Sequence, residues 1–189
     1  MVCDNLAVKT QAYSNNTRCH WLKKPFASHC LQAWLTDTGS LTARLQSKYS
    51  HFAVKPVTVK YAKPLSDESV LLHLPAHKVA LIREVLLIGN HQAVIFAHSV
   101  LPRASLRGKW NGLGRLGNQP LGAALFTNPQ VKRAPLRFKK LAPHHALYQH
   151  AVQHLVTKPA YLWARRSVFS LNCATILVTE VFLPQLLSK

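Results

Sequence analysis

Two charged side chains fall inside runs where a strand would surround them with hydrocarbon. Arg83 lies in residues 79–88 and, on a strand, shares a face with Val79, Leu81, Val85 and Leu87. Glu180 lies in residues 175–183, with Ile176, Val178 and Phe182 on its face. An unpaired charge on an apolar face is costly. Either each is matched by another protein charge or by a face open to solvent, or both look into a ligand cavity. In a cavity the guanidinium would hold a carboxylate through a fork of two hydrogen bonds, and the desolvated glutamate is a candidate proton donor.

Carboxylates are scarce enough to narrow the chemistry further. The 189 residues carry 24 Lys+Arg against six acids, a formal net charge of +18 with histidine neutral. The six are Asp4, Asp37, Asp67, Glu68, Glu84 and Glu180, and residues 85–179 hold none. Paired-carboxylate glycosidases, two-metal phosphatases and EF-hands need acidic clusters, which this chain lacks. An anionic ligand is favoured, either nucleic acid or a small polycarboxylate. The cations are scattered, with no run longer than two. Arg133, Arg137, Lys139 and Lys140 form the densest stretch, but Phe138 is its only interleaved aromatic. A stacking platform for single strands is therefore not evident, and no dedicated nucleic-acid site is expected.

Three weaker patterns are read as structural. Gly112-Leu113-Gly114-Arg115-Leu116-Gly117 matches G-x-G-x-x-G, but no strand leads into it and no acid follows within about 20 residues, so a glycine-rich loop is expected. His150 and His154 have zinc-like helical spacing, near His144 and His145, but no carboxylate or cysteine completes a site. Cys19-His20 and His29-Cys30 lack the usual metal-ligand spacing, and no metal or cofactor is expected. The cysteines at 3, 19, 30 and 173 form no C-x-x-C pair, which fits a reducing cytosol. Residues 1–17 lack the layout of a signal peptide. No stretch approaches the ~20 apolar residues of a membrane span.

The elements that must position Arg83 and Glu180 read as follows. Residues 1–30 form a weakly structured extension, and 31–189 a single domain, a size that buries about two-thirds of its unfolded surface. Residues 30–48 are helical with a polar break at 36–40, where Ser40 caps a second helix. Residues 51–61 alternate as a strand kinked at Pro56. Residues 79–88 and 93–101 flank Gly89-Asn90-His91-Gln92 as a hairpin. A short helix at 120–126, a basic strand at 131–141 and a helix or insertion at 144–156 follow. Strands 161–171 and 175–183 then meet at Asn172-Cys173-Ala174. Hairpin order without regular strand–helix alternation predicts an α+β fold on an antiparallel sheet.

The same two strands carry a resemblance. In chain order the segments are Trp34-Leu35 with Ser40-Leu41-Thr42-Ala43-Arg44-Leu45, then Leu81-Ile82-Arg83-Glu84-Val85-Leu86-Leu87 and Ser99-Val100-Leu101-Pro102. They continue with Leu116-Gly117-Asn118-Gln119-Pro120-Leu121-Gly122, Ala164-Arg165-Arg166-Ser167, and Leu177-Val178-Thr179-Glu180-Val181-Phe182-Leu183-Pro184. Together, over about residues 31–184, they resemble the chorismate pyruvate-lyase family of ubiquinone biosynthesis. The resemblance implies an antiparallel sheet with helices on one side and a buried ligand cavity under flap segments. It implies a cytoplasmic, cofactor-free lyase, expected to be monomeric, that converts chorismate to 4-hydroxybenzoate and pyruvate. By motif match, Arg83 binds the ring carboxylate, Glu180 stands at the hydroxyl end of the ring, and Leu41 and Leu121 offer backbone N–H groups. His98 stands where the family commonly has arginine, a position expected to bear on how the enolpyruvyl carboxylate is held or how ligands enter and leave. Two other readings remain: a non-catalytic small-molecule sensor of the same fold, disfavoured because only about 30 residues precede the domain, and a basic nucleic-acid-binding protein.

Overall fold

The computed structural model describes residues 20–187. Among them, seven strands join in one antiparallel sheet: β1 (Phe52–Ala62), β2 (Ala80–Gly89), β3 (Gln92–Pro102), β4 (Lys132–Arg133), β5 (Arg137–Leu141), β6 (Leu162–Leu171) and β7 (Ala174–Phe182). The order is β1-β2-β3-β7-β6-β4, with β5 also paired to β6. Six α-helices accompany the sheet: α1 (His29–Leu35), α2 (Leu41–Lys48), α3 (Ser66–Leu71), α4 (Arg103–Arg107), α5 (Leu121–Thr127) and α6 (Ala146–Val152). This is the α+β architecture that the alternation and hairpin order predict.

Local chemistry explains most boundaries. Asn90 and His91 have φ of 46° and 68° between paired Gly89 and Gln92, the twist a two-residue hairpin loop requires. Asn172, at φ 54°, opens the β6–β7 turn, and asparagine tolerates that left-handed conformation. β1 runs along the sheet edge, where Pro56 removes no needed donor, and its register slips between Pro56 and Thr58. The basic strand expected at 131–141 is instead broken into β4 and β5 around Pro135, which fixes φ and lacks an N–H. Ser40 caps α2 as expected, its Oγ accepting from the Ala43 N–H at 3.3 Å. Residues ahead of α1 are already docked: Leu22 bridges to Phe138, and Trp21 Nε1 donates to Asp67 at 2.9 Å.

Helices cover both faces of the sheet, which corrects the expectation of helices on one side. On one face, Val85, Leu87 and Ala97 pack with Leu35 of α1 and Leu41 and Leu45 of α2. Leu81, Leu101, Phe169 and Ile176 continue that face against Leu121 and Leu125 of α5. On the other, Leu86, Phe96, Ala164 and Val181 pack with Leu147, Tyr148, Ala151 and Val152 of α6. The reason is in β2, where every residue except Ile88 is buried. A strand apolar on both sides needs cover on both sides.

Candidate functional site

The first face carries a pocket lined by sheet residues on one side and by helix residues on the other. Strands β2, β3 and β7 supply its floor through Arg83, Ala97, Ser99, Val178 and Glu180. Opposite them stand the first residues of two helices, Leu41 of α2 and Leu121 of α5. The N–H groups of a first helical turn have no acceptor within the helix, so two such groups border the pocket. Gly122 lets the helix starts approach, since a Cβ there would lie 3.0 Å from Thr42 Oγ1.

Arg83 is 3% exposed. Its Nη2 donates to the carbonyls of Gly117, at 3.1 Å, and Gln119, at 2.8 Å. It thus ties down the loop that delivers Pro120 and α5. Carbonyls accept its protons without cancelling its charge, and burial pushes its pKa down. No carboxylate among the described residues pairs with it. An unneutralised guanidinium in a pocket is a seat for an anion.

Glu180 lies opposite Arg165 in the β6–β7 register, and Arg165 Nε donates to its Oε2 at 2.5 Å. Arg165 is fully buried. Its Nη1 also faces the carbonyls of Trp34 at 3.0 Å, Leu35 at 3.3 Å and Asp37 at 2.6 Å. One side chain therefore orients the glutamate and closes the C-terminal end of α1. Arg133, from the far strand β4, is a further cation on the pocket wall.

The structure brings Arg83, Glu180, Leu41 and Leu121 together and leaves His98 apart. Strand alternation turns His98 to the other face. There its Nδ1 meets Glu84 Oε1 at 3.0 Å, and His150 Nδ1 meets the same oxygen at 2.7 Å. Glu68 Oε1 lies 3.2 Å from His98 Nε2, an ion-pair distance whose angle makes no hydrogen bond. Burial pushes the His98 pKa down, but Glu68 and Glu84 outweigh it and raise the imidazole to about 9. Burial pushes Glu84 up, yet His98 and His150 bring it down to about 2. Glu84 is thus paired within the protein.

The weaker motifs resolve locally. Gly112, at φ 98°, opens a short 3-10 turn over Leu113–Arg115, and Gly117 contributes a carbonyl to Arg83. His150 turns to Glu84, and the His154 ring stacks on Phe96 with centroids 6.1 Å apart. Among the described residues no group of three or more His, Cys, Asp or Glu comes together as metal ligands, and no helix is long and apolar enough to cross a membrane. Cys30 and Cys173 are free thiols. Cys3 and Cys19 lie outside the described residues, so of the Cys19-His20 and His29-Cys30 pattern only His20, His29 and Cys30 are described.

The chorismate lyase family model matches residues 16–189. The chain belongs to the chorismate lyase family. A probable chorismate pyruvate-lyase from Thiobacillus denitrificans is 50% identical over 169 residues, covering 89% of this chain and 90% of the relative. One from Nitrosomonas europaea is 51% identical over 154 residues, covering 82% and 86%. Among solved structures, a GntR-family transcriptional regulator from Bacillus cereus superposes with TM-score 0.55 at 15% identity, over 74% of this chain and 96% of that one. PhnF from Mycobacterium smegmatis gives TM-score 0.56 at 12% identity, over 80% and 67%. At such identities the likeness speaks for the shared fold of this lyase family and those regulators.

Arg133, on the pocket wall, and Arg165, which holds Glu180, are two charged residues to which the sequence alone assigned no role. The signal for Arg165 was present in the hairpin: counting outward from the paired Leu171 and Ala174 places Arg165 opposite Glu180. Arg133 had no comparable local signal.

Proposed function

We propose that this protein is a chorismate pyruvate-lyase, eliminating pyruvate from chorismate to leave 4-hydroxybenzoate. The observation that carries the reading is convergence. Leu41, Arg83, Leu121 and Glu180 come from four separate segments, match the family motifs, and line one pocket.

Chorismate is a dianion with an enol ether on a cyclohexadiene ring. In the reaction the ring carbon–ether oxygen bond breaks, a proton leaves the ring carbon that bears the hydroxyl, and enolpyruvate takes up a proton to become pyruvate. The ring becomes aromatic, so the driving force lies in the substrate. The protein's tasks are to seat two carboxylates, orient the ring and manage a proton. In this reading Arg83 takes the ring carboxylate, with the N–H groups of Leu41 and Leu121 beside it. Glu180, oriented by Arg165, stands at the hydroxyl end, where it handles the proton or holds the hydroxyl. His98, bound to Glu84 and Glu68 on the opposite face, stays away from the ring. The family resemblance further supports a cytoplasmic, cofactor-free, monomeric enzyme at the first step of ubiquinone biosynthesis.

The test is direct. Purified protein incubated with chorismate should yield 4-hydroxybenzoate and pyruvate in equal amounts. Arg83→Ala and Glu180→Gln should each lower turnover by about two orders of magnitude or more, as losses of charged contacts at reacting groups do, while circular dichroism stays native. Near-normal turnover in either variant would sink that residue's role. Ligand binding without 4-hydroxybenzoate formation would favour the sensor reading.

A further inference from the structure

The substrate proposed above carries two carboxylates, and that reading gives one of them to Arg83. We propose that Arg133 binds the second, the enolpyruvyl carboxylate, so that the pocket offers one guanidinium for each negative charge. This rests on the lyase reading of the pocket.

Charge matching favours it. Arg165 and Glu180 are engaged with each other, and Asp37 is paired with Arg44 at 2.8 Å. Arg83 and Arg133 remain on the pocket wall with no carboxylate partner among the described residues, which leaves two positive charges for a dianion.

Placement favours it too. Arg83 enters from β2 and Arg133 from β4, with β3, β7 and β6 between them in the sheet. Glu180 on β7 lies in between, and Arg133 is near enough to feel the charges of Glu180, Arg165 and Asp37. A ring anchored by its carboxylate at Arg83, with its hydroxyl end at Glu180, can be turned about that axis to set the adjacent ether substituent toward Arg133.

Arg133 is also preorganised. Its Nη1 donates to the Thr38 carbonyl at 2.8 Å. Its guanidinium lies against two aromatic rings, 5.5 Å from the Phe126 centroid and 5.2 Å from that of Phe169. Its Nε is out of water with no hydrogen-bond partner. A planar guanidinium fixed by one carbonyl and two rings, with donors to spare, suits fork-like capture of a carboxylate.

The product supplies the discriminating measurement, because 4-hydroxybenzoate lacks the enolpyruvyl carboxylate. Arg133→Met keeps an unbranched side chain against Phe126 and Phe169 while removing the charge. It should raise the KM for chorismate about 10- to 100-fold, the loss of a charged hydrogen bond or two, while the Kd for 4-hydroxybenzoate stays within about twofold. Arg133→Lys should recover part of the loss, and Arg83→Ala should weaken both ligands. Equal weakening of chorismate and 4-hydroxybenzoate in Arg133→Met would mean a merely structural role and overturn the proposal. An active wild type whose Arg133→Met variant keeps normal KM and kcat would overturn it while sparing the lyase reading. A wild type inert towards chorismate would overturn the lyase reading, and this proposal with it.

Discussion

Arg165→Met tests how much of the molecule depends on one buried guanidinium. Arg165 is 0% exposed and reaches Glu180 Oε2 through Nε and three carbonyls through Nη1. Nη1 carries two protons, so at most two of its carbonyl contacts are full hydrogen bonds, and the 3.3 Å approach to Leu35 is the weakest. That makes three charge-assisted bonds, each contributing about 1.5–3 kcal/mol when measured singly. They are not additive, and removing one partner of a buried ion pair costs about 3–5 kcal/mol. Glu180 keeps 17% side-chain exposure, so water relieves part of its loss and the lower half of that range applies. We expect Arg165→Met to destabilise by about 3–4 kcal/mol, lowering Tm by roughly 6–16 °C for a chain of this size. Glu180→Gln keeps an acceptor for Nε and should cost only about 1 kcal/mol. Urea unfolding followed by tryptophan fluorescence reads both, with slopes unchanged if the two-state picture holds. In the double variant the second change should add little to the first. An Arg165→Met midpoint equal to wild type, or a larger loss from Glu180→Gln than from Arg165→Met, would refute the reasoning.

The remaining predictions concern the far face and a tight turn. His98 is raised to about 9, so its contribution is complete below about 6.5 and is lost as pH climbs through 9. Glu84 is lowered to about 2, so its contribution is present above about 4.5 and is lost as pH falls through 2. Urea midpoints measured between pH 5 and 10 should therefore fall on the alkaline side, and His98→Gln should flatten that limb; an unchanged limb would remove His98 as its source. A Cβ at Gly89 would lie 2.6 Å from Tyr49 Cγ. Gly89→Ala should thus cost about 1–3 kcal/mol through overpacking, and adding Tyr49→Ala should make the alanine tolerable; an equal penalty in both backgrounds would rule out the ring contact.

Much of this was readable from alternation. Period-two patterning placed Arg83 and Glu180 on apolar strand faces, and Asn90 and Asn172 marked turns whose backbones do take positive φ. What local pattern could not supply was partnership at a distance. Glu84 and Arg83 are adjacent and equally enclosed, yet only the sheet's two-sided cover shows that Glu84 meets His98 and His150 while Arg83 faces the pocket. The helices α3 and α4 escaped notice because six and five residues are too few for a periodic stripe. Arg133 reaches the pocket from a two-residue strand beyond β6, a placement set by sheet order alone.

The tether from Arg83 to Gly117 and Gln119 makes one guanidinium both anchor and latch. Of its five N–H donors, Nη2 commits its two to the loop, leaving Nε and Nη1 for a guest. A guest that draws Nη2 away loosens the segment carrying Leu121, and one content with Nε and Nη1 leaves that segment fastened. Two ligands of equal affinity can thus differ in how long they stay, according to which protons of a single side chain they borrow.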